Sequence, residues 1–354
     1  MHLVSGIRQL VSRILYPSYS NRYPSSGNLQ LNCSLQPIFA ADLYMKVYHS
    51  TDTLPAFKKA VVTIGTFDGV HLGHRQILDQ LKQEAERIGG ETVIITFHPH
   101  PRKIVGKSEH PLQLINTIEE RIELLEKNGI DNLVIVPFTA EFAQQTPEEY
   151  IEHFLVQKFQ PHTVIIGYDH RFGQGRKGDY KLLELYSAKL GFELKEISQH
   201  VINENTVSST RIRTAVSQGA IEEANALLGY TFFFEGTVVK GNQLGRTLGY
   251  PTANLQPADD TKQVPGNGVY AVEVTIGNTS AILKGMMNIG VRPTVDGTKR
   301  MIEVNIFDFD KDIYGETLRV YVKHYLRSEK KFNGLDALKA QLASDKVQAE
   351  KALF

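Results

Sequence analysis

The residues most suited to chemistry in the first half of the chain lie in the segment GTFDGVHLGHR, residues 65–75. Its glycines let the backbone turn sharply and approach a ligand closely. A helix that begins directly after this turn would offer free N–H groups and the positive end of its dipole to phosphate. His71 and His74 could then donate hydrogen bonds to a phosphate that gains charge in a transition state. The segment therefore predicts a nucleotide-phosphate site.

A metal pair is the alternative interpretation of His71 and His74. No third ligand has suitable spacing for zinc, although His98 and His100 lie at the end of the next predicted strand. Two surface histidines in a tight turn would be the simpler interpretation of an isolated HxGH motif. The position of this motif between a predicted strand and a predicted helix favours the phosphate site over both alternatives.

A second segment whose residues could bind a ligand is KGNQLGRTLGYPTAN, residues 240–254. Gly241, Gly245 and Gly249 would let such a loop fold over a polyphosphate and bind it through backbone N–H groups. Thr252 and Asn254 supply hard oxygen ligands of the type that Mg²⁺ accepts alongside substrate phosphates. The alternative is a plain hairpin loop with a proline turn.

A third glycine-rich segment, GQGRKG at residues 173–178, matches the GxGxxG pattern of dinucleotide sites, with Glu193 and Glu196 about 20 residues further on. However, residues 168–172 separate it from the preceding predicted strand, whereas the dinucleotide turn is tight. We therefore favour a basic glycine loop near bound phosphates over a dehydrogenase site. The Walker A pattern GxxxxGK[ST] is absent from the sequence.

The elements that must position these residues alternate between strand and helix from residue 45 to residue 229. Short apolar runs rich in Val and Ile predict buried strands, and apolar residues at helical spacing predict the connecting helices. This βαβ order requires a parallel sheet, so the fold class is α/β, with ligands beyond the carboxyl ends of the strands. The predicted strands are 60–66, 92–97, 132–136, 163–167 and 193–197, and the predicted helices are 75–88, 118–127, 147–158, 180–190 and 209–228.

From residue 230 to residue 354 the pattern changes to short β-rich runs separated by Gly, Pro, Asn and Asp turns. Such runs predict an antiparallel sheet or a small barrel. An amphipathic segment at residues 335–353 predicts a helix that closes this second domain. The predicted strands are 232–239, 268–276, 281–289, 301–307 and 317–322.

Composition narrows the classes of function. The 354 residues suggest two domains, and 39 Lys+Arg against 39 Asp+Glu argue against a protein that mainly wraps nucleic acid or binds acidic membranes. The single Cys33 excludes an internal disulfide and thiolate metal clusters, and it favours a reducing compartment, which we take to be the cytoplasm. Residues 1–44 resemble an over-called start or a dispensable extension more than a transit peptide.

The first domain resembles the HxGH nucleotidyltransferases, and its FDGVH form is similar to the bacterial FAD synthetase branch. The segments TFHPHP (96–101), GYDHRFG (167–173) and VSSTRIR (207–213) agree in order, except that His170 stands where the family usually has Phe. The resemblance implies catalytic roles for His71 and His74 and a flavin-side role for Asp169. It also implies that ATP and its phosphates are bound by Gly65, Phe67, Asp68, Gly69, Gly73, Ser209, Thr210 and Arg213. Residues 208–210 could equally be a helix cap, which uses the same N–H groups.

The second domain resembles riboflavin kinase in residues 240–254, 287–294, 302–310 and 314–315. The resemblance implies that Glu303 is the general base. An ordinary solvent-side residue of a half-buried strand is the alternative for this carboxylate. The resemblance also implies Mg²⁺ on Thr252 and Asn254, and an ATP-binding loop that includes Gly241, Gly245, Arg246, Gly249, Thr252 and Asn254.

Both resemblances together cover the chain from about Met45 to its C-terminus. They imply an enzyme that uses ATP to phosphorylate riboflavin to FMN and then adenylylates FMN to FAD with release of pyrophosphate. Riboflavin, FMN and ATP are the expected ligands, and no nucleic-acid or membrane partner is expected. Whether the protein forms a homo-oligomer stays open. One alternative is a cytidylyltransferase-like enzyme whose β domain only binds a ligand. Another is a non-enzymatic flavin-binding regulator.

Overall fold

A computed structural model describes residues 44–106, 112–167, 169–197, 207–241, 244–294 and 297–354. The extension predicted over residues 1–44 therefore lies outside the described residues, apart from Tyr44, and so does Cys33. In the part of the chain that is described, no helix is both long enough and apolar enough to cross a membrane.

The N-terminal half of the described chain is built on a six-stranded sheet in which every pairing is parallel, with strand order β1-β4-β3-β2-β5-β6. Its central strands are buried on both faces by helices, which is why they appear in the sequence as uninterrupted Val and Ile runs. The order reverses between β2 and β5, so a crevice opens beyond their carboxyl ends. The strands are β1 (Lys46–Tyr48), β2 (Val61–Ile64), β3 (Thr92–His98), β4 (Asn132–Pro137), β5 (Thr163–Gly167) and β6 (Glu193–Ile197).

The helices of this half confirm most of the predicted ones and add the short α2 and α4, and two predicted helices are interrupted. A π-helical stretch, Tyr150–Val156, interrupts the helix predicted over residues 147–158. The single helix predicted over residues 209–228 is wrong, because Gly219 adopts a left-handed conformation with φ of 79° and divides it into two. The helices are α1 (Leu72–Ile88), α2 (Pro101–Val105), α3 (Ile118–Lys127), α4 (Ala140–Ala143), α5 (Pro147–Glu149), α6 (Gln157–Phe159), α7 (Tyr180–Leu190), α8 (Ser209–Ser217) and α9 (Ile221–Leu228).

The C-terminal half is a closed antiparallel barrel with strand order β10-β11-β8-β7-β12-β9, which confirms the predicted fold class. A short helix, α10 (Leu244–Thr247), precedes β8, and the C-terminal helix α11 (Leu335–Leu353) packs on the outer side of β9 and β10. The strands are β7 (Phe233–Val239), β8 (Ala253–Pro257), β9 (Gly268–Ile276), β10 (Leu283–Thr294), β11 (Gly297–Ile306) and β12 (Thr317–Arg327).

Helices α8 and α9 bury their apolar faces in the same core as the barrel. Ile212 and Val216 of α8 and Leu228 of α9 belong to one cluster with Val304 and Val320 of the barrel strands. The helix that carries the SSTRIR segment is therefore held by the barrel core.

Candidate active sites

The loop between β2 and α1 is the first candidate site, and it lies at the carboxyl end of β2, beside the crevice between β2 and β5. Phe67 and Val70 have positive φ values of 47° and 34° although neither is glycine, and both are buried. Gly69 has a φ of 95°, which other residues rarely adopt, and a Cβ there would lie a tight 3.0 Å from Ile115 Cδ1. A backbone held in such sparsely populated conformations is a feature of functional loops.

His71 and His74 stack on each other at the start of α1, with ring centroids 3.7 Å apart. His71 caps the helix, since its Nδ1 accepts a hydrogen bond from the His74 N–H at 3.3 Å. For this reason α1 begins at Leu72, earlier than the predicted residue 75. Burial lowers the pKa of His71 to about 4 and that of His74 well below its usual range. With Nδ1 acting as acceptor, neutral His71 still has an Nε2–H that can donate to a phosphate.

Asp68 holds Arg213 in place. The Asp68 side chain is fully buried, and its Oδ2 accepts from Arg213 Nη1 at 2.6 Å. Its Oδ1 accepts from the N–H groups of Ile115 and Asn116 at 2.9 and 3.2 Å. The Ser209 hydroxyl donates to the Asp68 carbonyl at 2.8 Å, so the N-terminus of α8 is tied to the same loop. Asp68 therefore orients a cation and the loop, with both of its carboxylate oxygens engaged.

His100 lies at the centre of a group of cations. Its pKa is lowered to about 3, first by burial and then by Arg121, Arg213, Arg102 and Lys103. Arg102 and Lys103 lie two and three residues after His100, in α2, whereas Arg121 belongs to α3 and Arg213 to α8. Cations from three helices at the carboxyl edge of a parallel sheet form a suitable environment for a polyphosphate.

Arg121 is a residue of this site that the sequence analysis missed. It is 2% exposed, and its Nη1 donates to Thr96 Oγ1 at 3.3 Å. Its Nε is buried with no hydrogen-bond partner among the residues described. The available signal was its spacing on α3, because it lies three and four residues before the buried Leu124 and Leu125 and so shares their face.

Two of the expected contacts, Thr210 and Asp169, are exposed. Thr210 lies in the first turn of α8, and Asp169 follows the end of β5. His170, the departure from the family pattern, packs as an aromatic side chain, stacking on Phe172 at 5.9 Å between ring centroids. Burial lowers its pKa to about 4, so it is neutral at pH 7.

The GxGxxG segment forms a closed turn instead of a strand-to-helix junction. Phe172 and Gly178 exchange backbone hydrogen bonds of 3.2 and 2.9 Å around the 3₁₀ turn Gln174–Arg176. A Cβ on Gly178 would lie 2.4 Å from the Phe172 ring, so packing explains this glycine. Among the described residues, no group of three or more His, Cys, Asp or Glu side chains could hold a metal ion.

The second candidate site is a cleft on the outer face of the barrel, between the 240–254 segment, β10, β11 and α11. It encloses about 920 Å³ of empty space, including its open mouth. Glu303, Thr252 and Gly245 of the predicted site line it, whereas Arg246 is exposed and does not. The other polar lining residues include Asn288, Asn305, Arg327, Glu329 and Asp345.

Glu303 and Asn254 are neighbours on adjacent strands, although Asn254 is not among the residues that line the cleft. They are direct partners in the β8–β11 ladder, and Asn288 is the partner of Glu303 in the β10–β11 ladder. The alternate residues Ile302 and Val304 point into the barrel core, so Glu303 projects outward. Asn254 is 5% exposed, and its Oδ1 is buried without a hydrogen-bond partner in the described part of the chain.

The 240–254 segment packs so closely that two of its glycines are required. A Cβ on Gly241 would lie 2.2 Å from Asn254 Nδ2, and one on Gly245 would lie 2.3 Å from the Tyr250 carbonyl oxygen. The Asn305 side chain donates to the Pro251 carbonyl at 2.7 Å, which ties the segment to β11. Backbone and carboxamide groups are thus fixed beside Glu303 before any ligand binds.

Acidification should destabilise the fold through its buried histidines. Burial lowers the folded-state pKa of His170 to about 4, whereas the pKa in the unfolded chain is about 6.5. Between these values the unfolded chain binds more protons, so the free energy of unfolding falls as the pH drops from about 6.5 towards 4. We expect His170→Phe to lose less Tm than the parent protein between pH 7 and pH 5 in thermal melts. The exposed His153→Asn is the control, and an unchanged pH slope in His170→Phe would contradict the expectation.

Comparisons with known proteins divide the chain at the same change of architecture. The FAD synthetase family model matches residues 54–211, and the riboflavin kinase family model matches residues 228–353. The bifunctional riboflavin kinase/FMN adenylyltransferase of Bacillus subtilis strain 168 is 36% identical over 313 residues, which cover 86% of this chain and 97% of that protein. The protein of the same description from Escherichia coli K12 is 36% identical over 291 residues, covering 82% of this chain and 92% of that protein.

A solved structure shares most of the fold. It is a crystal structure described as a macrolide-efflux protein from Streptococcus pneumoniae, with a TM-score of 0.77 and 32% sequence identity. The match covers 87% of this chain and 99% of that one. The efflux description is not shared by the two curated relatives, which are described as flavin-nucleotide enzymes.

Proposed function

This chain belongs to the family of bifunctional riboflavin kinase/FMN adenylyltransferases, and we propose that its two halves catalyse the two successive reactions of that family. Residues 230–354 phosphorylate riboflavin to FMN, and residues 45–229 transfer the adenylyl group of ATP to FMN. One observation carries the proposal. Each family model matches one half of the chain, and each half has its own candidate site: the cations around His100 in the first half and the cleft lined by Glu303 in the second. A cytidylyltransferase-like enzyme is not favoured, because the second half matches riboflavin kinase.

In the kinase reaction, a ribityl hydroxyl of riboflavin attacks the γ-phosphate of ATP, and ADP leaves. Glu303 is the proposed general base that accepts the hydroxyl proton, since its carboxylate projects from β11 into the cleft. The glycine loop before β8 binds the ATP phosphates through its backbone N–H groups. Phosphoryl transfer depends mainly on positioning and charge stabilisation, and the fixed loop supplies the first of these.

The residues around Glu303 fit a divalent cation. The unpartnered Oδ1 of Asn254 is a hard oxygen donor on the strand next to the proposed base, and Thr252 lines the cleft with Glu303. We propose that Thr252 and Asn254 hold Mg²⁺, which would neutralise the phosphate charge of bound ATP.

Removing the Asn254 oxygen tests this cation site. Asn254→Leu keeps a side chain of similar length without the donor, so the Mg²⁺ concentration for half-maximal FMN formation should rise by about tenfold or more. Titrating Mg²⁺ against FMN formation measures the change, and FAD formation from supplied FMN should keep its metal dependence. Asn278→Leu, in an exposed turn, is the matched control. The assignment fails if Asn254→Leu and Asn278→Leu respond alike.

In the adenylyl transfer, the phosphate of FMN attacks the α-phosphate of ATP, and pyrophosphate leaves. The FMN phosphate is largely ionised at neutral pH, because its second pKa is about 6, so a strong base is unnecessary. Neutral His71 and His74 donate hydrogen bonds to the reacting phosphate, and Arg213, held by Asp68, balances its developing charge. Arg121 is positioned beside them to contribute further positive charge. Asp169, at the end of β5, stays the proposed residue on the flavin side.

Labelled ATP tests the two reactions separately. With riboflavin and γ-labelled ATP, the label should appear in FMN, whereas with FMN and α-labelled ATP it should appear in FAD. A non-enzymatic flavin-binding protein would bind FMN and transfer neither label.

Cytoplasmic localisation, a homo-oligomeric state and the absence of nucleic-acid or membrane partners remain predictions. The lone Cys33 supports the first of these.

A further inference from the structure

A buried lysine of the barrel half reaches into the α/β half. Lys262, in the connection between β8 and β9, is 2% exposed, and its Nζ donates to the Ile115 carbonyl at 2.6 Å. The same ammonium group forms an ion pair with Glu120 of α3. The backbones join here too, because Leu114 N–H donates to the Thr261 carbonyl and Gln263 N–H donates to the Leu114 carbonyl, both at 2.7 Å.

Stability alone does not explain this ion pair. Removing an ammonium and a carboxylate from water costs several kcal/mol per ion, and well-packed apolar residues often hold such a position equally well. Lys262 does have further favourable contacts, with its Nζ 4.9 Å from the Phe232 ring centroid and 5.4 Å from that of Phe233. Lys262 makes one directional contact that an apolar side chain cannot make, the hydrogen bond to the Ile115 carbonyl.

That contact leads to the adenylyltransferase site through a single peptide group. The carbonyl of Ile115, which accepts from Lys262, belongs to the same peptide plane as the N–H of Asn116, which donates to Asp68 Oδ1 at 3.2 Å. The other oxygen of Asp68 accepts from Arg213 at 2.6 Å. The peptide group is planar, so fixing its carbonyl end also fixes its N–H end, and hydrogen bonds in such a chain polarise one another.

A second set of contacts holds the same peptide segment from the barrel side. The Tyr230 hydroxyl donates to the Gly69 carbonyl at 2.7 Å and lies 3.3 Å from Asn116 Oδ1. The segment around Asn116 therefore joins the HxGH loop to residues at the start of the barrel. Helix α8, which carries Arg213, also packs in the barrel core. The barrel therefore affects the orientation of Arg213 in two ways, through Asp68 and through the packing of α8.

We propose that Lys262 is a positioning residue for adenylyl transfer: the barrel half, through Lys262 and the Ile115–Asn116 peptide, fixes Asp68 and so the guanidinium of Arg213. This inference rests on the function proposed above for the α/β half. It means that the first half does not have a complete site without the second. The kinase cleft does not need Lys262, which is absent from the residues that line it.

The test uses the full-length double variant Lys262→Met/Glu120→Gln, which leaves no buried charge without a partner. Its Tm should stay close to that of the parent, because both charges are removed together and Gln keeps an oxygen for the capping-box hydrogen bond with the Thr117 N–H. FAD formation from supplied FMN should nevertheless fall by about tenfold to a hundredfold, since Arg213 loses its fixed orientation. FMN formation from riboflavin should be unchanged. Lys189→Met, which breaks an exposed ion pair with Glu152, is the control and should change neither rate.

An interaction with Arg213 distinguishes positioning from a general loss of structure. In an Arg213→Ala background, the double variant should lower FAD formation little further, because the group that it positions is already missing. Full FAD formation in the double variant, or independent multiplication of the two effects, would overturn the inference. Loss of FMN formation together with FAD formation would also overturn it, since that indicates general unfolding. If the parent protein itself forms no FAD, the proposed function fails instead.

Discussion

Replacing Glu303 by Gln should reduce FMN formation from riboflavin by about 10²- to 10⁴-fold, the usual contribution of a general base. Gln keeps the shape and the hydrogen-bonding capacity of the side chain but cannot accept the hydroxyl proton. The β8–β11 and β10–β11 ladders should hold it in the same place, so the effect should fall on the turnover rate more than on KM. FAD formation from supplied FMN should be unchanged. Steady-state rates with each flavin, measured by chromatography, check both statements.

The matched control for Glu303 is Glu273→Gln on β9. The Glu273 carboxylate forms an ion pair with Lys323 and does not line the cleft. This variant should keep both activities. If Glu303→Gln keeps its FMN formation, or if both activities disappear together, Glu303 is not the base of a separate kinase site.

Replacing His74 by Ala should reduce FAD formation from FMN by about 10²- to 10³-fold, the effect of losing one donor to a developing charge. The structural reason is its position: the His74 ring stacks on His71 at 3.7 Å between centroids and makes a tilted contact with Phe67 at 5.0 Å, directly after the positive-φ residues of the loop. The Nδ1 of His74 is already buried without a partner among the described residues, so this ring is not needed for a hydrogen bond within the loop.

FMN formation should be unaffected in His74→Ala, because the barrel cleft contains no residue of the HxGH loop. His153→Ala, an exposed histidine in the same half, is the control and should keep both rates. Equal losses in the His74 and His153 variants, or unchanged FAD formation in His74→Ala, would contradict the proposed role.

The parts of the fold that were predictable are those with a strong local pattern. The four Val- and Ile-rich strands β2 to β5 are buried on both faces, so each appears as one apolar run. The short edge strand β1, Lys46–Tyr48, has too few residues for any pattern. Strand β8, Ala253–Pro257, was not predicted, because its first two residues belong to the glycine-rich segment 240–254, whose composition indicates a loop. The break at Gly219 was hidden by an apolar spacing that continues across it.

The candidate sites were predictable where they depend on motifs and not where they depend on long-range contacts. The HxGH loop and the SSTRIR segment are contiguous signatures, and Glu303 lies within another, so the sequence alone indicates them. Arg121 and Lys262 have no motif, because their roles arise from the packing of helix α3 against distant segments. Asp68 was expected to contact phosphate, whereas its oxygens are engaged by Arg213 and by two backbone N–H groups.

The most direct test of two separate sites in one chain is to mix the Glu303→Gln and His74→Ala variants with riboflavin, ATP and Mg²⁺. Alone, the first should leave riboflavin unchanged, and the second should accumulate FMN. The mixture should form FAD, because FMN released by one variant is the substrate of the other. FAD from the Glu303 variant alone, or a mixture that stops at FMN although the Glu303 variant adenylylates supplied FMN, would contradict the account.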